Sequence, residues 1–297
     1  MSVTAELDLN KRESGEGRRI VVLRRPNDGF DRRPYVVHLL MQQWRQWGFS
    51  VDVSGHTDTA VGPHTVVIPH LDATRTPAKH ETSFGRCAAI VNRTVTDISK
   101  RKISKNLVIR PTDHDGQVII KTDRNAGGQP ELERIHAKGR IARAALAIAR
   151  RLPWTLTGMI DYYKVFDHPS LVPRAVWRNP FLVVEKFLPE RQEGMYCLRQ
   201  YTFFGTSEIN TLVFSVDPIV KARNVTRRQV LSEPSPGVRE IRAELGFDYG
   251  KFDYVLQDGR VVLFDVNRTP IYNPASRAGS PSALIIRLAE GIYGFFG

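Results

Sequence analysis

The N-terminal third of the chain alternates short apolar runs with one longer amphipathic stretch. Arg19 to Leu23 is an unbroken apolar run, which predicts a buried strand. Arg25-Pro26-Asn27-Asp28-Gly29 is a cluster of turn formers. From Pro34 onward, Val37, Leu40, Met41, Trp44 and Trp47 recur at helical spacing until Gly48 stops the pattern. Phe49 to Val53, Thr65 to Pro69 and Cys87 to Val91 predict three further strands. Strand-helix-strand order with short links predicts a parallel sheet covered by helices, a small α/β domain over residues 18–95.

Residues 96–109 form a basic connector that reads as helical. Gly116 to Lys121 predicts a strand entering the small polar loop Thr122 to Gly128, and a long helix is expected from Glu131 to about Arg151. Tyr163 to Phe166 and Phe181 to Phe187 read as strands around a short helix near Pro169 to Trp177. Met195 to Phe204 and Glu208 to Ser215 read as an antiparallel pair turning at Gly205. A helix over Gly237 to Leu245, a hairpin over Phe252 to Asn267 and a helix over Ser282 to Gly291 complete the pattern. The C-terminal part thus reads as α+β.

Composition sets limits on this picture. The apolar fraction of 41% and charged fraction of 25% are those of an ordinary globular chain. No apolar run is long enough for a membrane span, and Met1 to Gly17 reads as a polar, flexible tail. Two cysteines at no metal-ligand spacing point to a reducing, cytoplasmic setting. The net charge of +12 favours anionic partners. Without a nucleic-acid module signature, that charge reads as a solvated basic surface, and nucleic acid and membrane are disfavoured as partners. A homodimer stays open.

Three segments carry candidate chemistry. Lys121 ends an apolar strand, and the small loop after it, with Gly127 and Gly128, can offer amides to a phosphate. Phe181 to Glu190 is an apolar strand running into a charged pair and Pro189, an edge that can meet a flat base. Asp253 and Asp265 lie on the two strands flanking an Asp258-Gly259 turn, with Asn267 two residues beyond Asp265 on the same face. Carboxylate and amide oxygens suit a hard cation such as Mg²⁺.

In their order, these segments resemble the ATP-grasp superfamily, which includes D-alanine–D-alanine ligase and glutathione synthetase. The resemblance covers residues 96–297 and implies ATP held between two subdomains, preceded by a Rossmann-like N-terminal domain. It implies that Lys121 and the lysine opening the domain hold phosphates. Lys102 matches that lysine best, with Lys100 and Lys105 as neighbours. Glu185, Lys186 and Leu188 match the hinge at the adenine, Glu193 or Glu190 the ribose contact, and Lys221 a further phosphate contact. Arg199 and Arg268 match basic residues near the reacting groups. Asp253, Asp265 and Asn267 match ligands that hold two Mg²⁺ ions, with Asp265 standing where the family usually has the longer Glu. The implied activity is a Mg-ATP-dependent ligase that makes an acyl-phosphate from a small-molecule or peptide carboxylate for attack by an amine. A kinase or a non-catalytic nucleotide- or anion-binding module is the alternative. Selectivity is expected partly from the loops at Asn27-Asp28 and His70-Leu71-Asp72.

The hairpin carries a geometric condition. A two-residue Asp258-Gly259 turn would pair Leu256 with Val261 and Asp253 with Phe264, placing Asp253 on the face opposite Asp265 and Asn267. A loop of odd length, such as Gln257-Asp258-Gly259, would put all three on one face, with Asp253 and Asp265 as diagonal neighbours.

Overall fold

The computed structural model describes residues 15–25, 28–55, 59–76, 86–137, 139–272 and 282–296. Most of the expected tail lies outside these residues. Gly15 is described: its amide donates to the Trp47 carbonyl, so the last three residues of the expected tail, 15–17, belong to the described fold.

Three sheets organise the chain. The first joins β1 (Arg19–Leu23), β2 (Ser50–Ser54), β3 (Thr65–Pro69) and β4 (Ala89–Ile90) in the parallel order β2-β1-β3-β4. Ile20, Val21, Val22, Val66 and Val67 are fully buried, which is why these runs are apolar without alternation. Helix α1 (Val36–Gln46) packs Leu40, Met41 and Trp44 on this sheet, and Gly48 ends it with a left-handed φ of 86°. The connector is not a long helix. It has one helical turn, α2 (Lys100–Ile103), after which Val108 N donates to Val184 O.

The second sheet is antiparallel: β5 (Val118–Thr122) between β6 (Lys164–Phe166) and β7 (Leu182–Lys186). The single helix expected over 131–151 is instead two, α3 (Gln129–Ala137) and α4 (Arg140–Ala149), divided at Gly139, whose φ of 107° no helix accommodates. Two short helices, α5 (Trp154–Thr157) and α6 (Arg174–Arg178), follow, the second covering β5 and β7 through Val176.

The third sheet runs β11-β10-β9-β12-β13, with β8 (Glu190–Gln192) also on β9. Its strands are β9 (Met195–Phe204), β10 (Ser207–Ser215), β11 (Arg227–Leu231), β12 (Tyr249–Gln257) and β13 (Arg260–Asn267). Neither β8 nor β11 was expected from the pattern; both are short, polar edge strands. Helix α7 (Val238–Glu244) covers one face, over Tyr201, Phe203, Phe252 and Tyr254. The other face looks towards the second sheet.

The first and third sheets are welded together. Asn92 Nδ2 donates to Tyr249 O at 2.7 Å, and Asn92 Oδ1 accepts from the amides of Asp248 and Tyr249. The C-terminal helix α8 (Ala283–Glu290) receives the buried Trp44 Nε1 bond at Ala289 O, 2.9 Å. Among the described residues no helix is long and apolar enough to cross a membrane.

Candidate active site between the two antiparallel sheets

The turn of the β12–β13 hairpin is the short one. Gln257 pairs with Arg260, and Asp258 and Gly259 both have positive φ, 50° and 75°, as a two-residue hairpin turn requires. The expected odd-length loop is therefore absent. The register nevertheless shifts by one further down, because Phe264 is an extra residue: Tyr254 pairs with Leu263 and Asp253 pairs with Asp265. This β-bulge performs the shift assigned to the loop. It makes the two aspartates direct rather than diagonal partners, and it turns Phe264 into the cleft. Asn267 pairs with Lys251 on the same face.

The cleft lies between β5 and β7 on one side and β9, β10, β12 and β13 on the other. Ile119, Leu198, Val213, Ile219, Val220 and Val255 give it an apolar part, rimmed by Lys186, Phe187 and Pro189 at the exit of β7. Lys121, Tyr163, Lys221, Lys251, Asp253 and Asp265 give it a charged part. Cys197 lines it as a neutral thiol, pushed up to about 12 by burial and by Glu190.

Each charged group has a defined partner. Lys121 Nζ lies 2.6 Å from Glu185 Oε2, and both side chains are buried. Register explains the contact: Lys121 and Glu185 lie on adjacent strands, where Ile119 pairs with Glu185 and Lys121 with Val183. Lys121 Nζ also sits 4.7 Å from the centroid of the Phe264 ring. Lys100 Nζ donates to Asp265 Oδ1 at 3.1 Å and to Arg124 O at 3.2 Å. Burial works against the Lys100 ammonium, but Asp265, Tyr163 and Glu185 outweigh it and hold its pKa above the usual value. Lys251 Nζ is 3.1 Å from Asp253 Oδ1, which also accepts from Gln200 Nε2 at 3.1 Å.

Lys221 packs its ammonium over the Tyr163 ring, 3.7 Å from the centroid. Burial lowers it to about 8; Asp265 opposes the fall, while Lys121 and Lys100 add to it. The Tyr163 phenol is pushed up to about 12, chiefly by burial, and so is neutral.

Several expected site residues lie elsewhere. Lys102 is exposed on α2, and the neighbour that points inward is Lys100; Lys105 is exposed and bonds Glu244. A helical turn sends alternate lysines of Lys100-Arg101-Lys102 in different directions, which spacing alone did not resolve. Gly127 and Gly128 have positive φ, 66° and 82°, in a 3-10 turn anchored by Asn125 N on Thr74 Oγ1, beside Lys100 but outside the cleft lining. Glu185 supports Lys121 rather than standing at the rim, and Leu188 is not a lining residue.

The arginine and ribose expectations fail on geometry. Arg199 pairs with Tyr254, on the face under α7, where Glu190 grips it through both carboxylate oxygens at 2.7 to 3.2 Å. Glu190 also accepts from Leu256 N, so it is fully engaged in the sheet. Glu193 is exposed and bonds Arg227. Arg268 is buried and donates to Thr76 Oγ1, Val95 O and Ala73 O, a structural tie between the end of β13 and those three residues. Asn267 keeps its face, but its Oδ1 accepts from Thr269 N at 2.8 Å and lies 3.2 Å from Thr269 Oγ1.

The expected selectivity loops also lie off the cleft. Asn27 falls outside the described residues, and Asp28 caps its own turn by accepting from Arg25 N and Phe30 N. Asp72 is buried and accepts from Arg33, Tyr35 and Thr269. Missed by sequence reasoning were Tyr163, Lys251, Gln200 and Arg228, whose Nη1 donates to Gln200 Oε1 at 3.0 Å. Lys251 and Gln200 could have been found from pairing, since they share the face of Asp253.

The donor set fits a hard divalent cation: two carboxylates paired across one ladder, with an amide oxygen next on the same face. No protein-family model and no curated protein matches the sequence. Solved structures do match the fold. The ATP-grasp ligase PsnB complexed with minimal precursor, Mg and ADP superposes with a TM-score of 0.51 at 13% identity, covering 93% of this chain and 97% of that one. PsnB complexed with precursor peptide PsnA2 and AMPPNP gives 0.50 at 13%, covering 93% and 97%. PsnB complexed with minimal precursor alone gives 0.50 at 11%, covering 95% and 100%. The chain has the ATP-grasp fold.

Proposed function

We propose that the chain is an ATP-dependent ligase that activates a carboxylate as an acyl-phosphate and passes the acyl group to an amine. The observation that carries this reading is the cleft itself. Its apolar part suits a purine, and its charged part sets paired carboxylates, Asp253 and Asp265, opposite the buried Lys121, with Lys100 bonded to Asp265 from outside the lining. A cation held by Asp253 and Asp265 would neutralise charge on the phosphate oxygens. We assign residues 18–95 to a Rossmann-like N-terminal domain and 96–297 to the ATP-grasp domain.

The chain's own residues do the positioning. Lys186, Phe187 and Pro189 border the base, while Lys121, fixed by Glu185, meets the phosphates without reorganising. Lys221, buried over Tyr163, adds positive charge where the transferring phosphoryl group needs it. A substrate carboxylate oxygen then bonds to the γ-phosphorus as the bond to ADP breaks. The amine nitrogen next bonds to the acyl carbon, and phosphate leaves. The neighbour PsnB is complexed with a precursor peptide, which supports a peptide carboxylate as one class of acid to test.

The test is an ADP- and phosphate-release screen over small-molecule and peptide carboxylates, with and without amines. Acid-dependent ADP release that rises with amine, with phosphate as co-product, is expected. A stable phosphorylated acid formed without amine would identify a kinase. No ADP release with any acid would contradict the ligase reading.

A further inference from the structure

We propose that the cleft binds its nucleotide with one divalent cation, and that the Lys100 ammonium stands in the place of a second. This rests on the nucleotide reading above. The superfamily resemblance implies two Mg²⁺ ions, and three features of this chain depart from that.

The first is the way the two aspartates are used. Asp265 spends Oδ1 on Lys100 and Asp253 spends Oδ1 on Lys251 and Gln200. One oxygen of each remains, and because the residues are direct partners on β12 and β13, those two oxygens suit one shared cation. Asp265 is a methylene shorter than the usual Glu and reaches less far to bridge a second. Asn267, the third expected ligand, already accepts from Thr269 N.

The second is the rigidity of Lys100. Its side chain is 2% exposed on α2, and its ammonium is held at once by Asp265 Oδ1 and Arg124 O. It is a fixed charge beside the carboxylate rather than a surface lysine that swings clear. Displacing it would leave a buried ammonium without its carboxylate partner, which is strongly unfavourable.

The third is charge balance. Lys100, Lys121, Lys186, Lys221, Lys251 and Arg228 line or abut the cleft, against Asp253, Asp265 and Glu185. The site is therefore net positive by about three charges before any ligand enters. A nucleoside triphosphate brings about four negative charges, so one divalent cation already carries the sum just past zero, and a second would leave the closed site positive by about three.

The test counts metal rather than activity. Mn²⁺ is titrated into the full chain with saturating AMPPNP, and bound Mn²⁺ per bound nucleotide is read by electron paramagnetic resonance. One Mn²⁺ per nucleotide with an uncoupled six-line spectrum is expected. Two per nucleotide, or a spin-coupled spectrum, would overturn the proposal while leaving the nucleotide reading intact. No nucleotide bound would overturn both. Lys100→Met, checked for native circular dichroism, should admit a second Mn²⁺. A folded Lys100→Met that still binds one would remove Lys100 from the role, and the parent count decides the stoichiometry by itself if that variant does not fold.

Discussion

Replacing Lys121 by Met removes one half of a buried ion pair and one expected phosphate contact at the same time. The two consequences separate by magnitude and by rescue. Lys121 and Glu185 are 2.6 Å apart with side chains 6% and 1% exposed, so Lys121→Met strands a buried carboxylate. Breaking such a pair costs about 3–5 kcal/mol, whereas replacing both partners by apolar groups of similar size is often neutral. Nucleotide-free Lys121→Met should therefore lose about 3 kcal/mol or more in urea unfolding, and Lys121→Met/Glu185→Leu should recover most of it. Binding should behave differently. Both variants lack the ammonium, so both should bind Mg-ADP at least about tenfold more weakly, roughly 1.4 kcal/mol, by calorimetry. The coupling of the two sites in stability, taken from the double-mutant cycle, should exceed about 1 kcal/mol. A Lys121→Met variant within about 1 kcal/mol of the parent would refute the ion-pair argument. A double variant with parental nucleotide affinity would remove Lys121 from the phosphate site.

Three further outcomes are expected. His70 is buried and its imidazole is lowered to about 3 by burial, with His38 nearby adding to the effect. The unfolded chain takes up that proton near pH 6.5, so the stability of the neutral form falls as pH drops from 6.5 towards 3. Parent stability should fall by about 3 kcal/mol more than that of His70→Gln between pH 7 and 4; parallel curves would contradict this. Lys221 releases its proton near pH 8 when folded. Nucleotide binding at pH 8.5 should take up protons, seen as a buffer-dependent binding enthalpy that Lys221→Met abolishes; no buffer dependence in the parent would refute it. A Cβ at Gly291 would lie 1.8 Å from the Phe204 carbonyl oxygen, so Gly291→Ala should cost at least about 2 kcal/mol in chemical unfolding, and a neutral effect would show that α8 sits further from β9.

Much of the frame was legible because local pattern and tertiary position agreed. The apolar runs at Ile20 and Val66 had to be strands covered on both faces, and they are. The ordered trio of Lys121, Glu185 and Asp253–Asp265 does converge near one cleft. The remainder depended on contacts that no local signal reports. Asp258-Gly259 correctly marked a two-residue turn, but nothing in Leu263-Phe264-Asp265 marks Phe264 as a bulge, and without it the register argument demanded a longer loop. Lys100 and Lys102 differ only in which side of one helical turn they occupy. Arg199 and Arg268 carry charge of the right sign near the right strands, yet Glu190 takes one and the carbonyls of Ala73 and Val95 take the other. Arginines engaged by a carboxylate or by backbone carbonyls look, in sequence, like arginines awaiting substrate.

The central claim is that nucleotide and cation meet at Asp253 and Asp265 in the cleft between the two antiparallel sheets. The most direct test is calorimetric titration of the parent, Asp253→Asn and Asp265→Asn with ADP, with and without Mg²⁺. The account predicts one nucleotide per chain in the parent, tighter with Mg²⁺. In both variants, folded by circular dichroism, that Mg²⁺ enhancement should be lost, because each removes a carboxylate ligand. Parental Mg²⁺ enhancement in both variants, or no ADP binding by the parent, would contradict it.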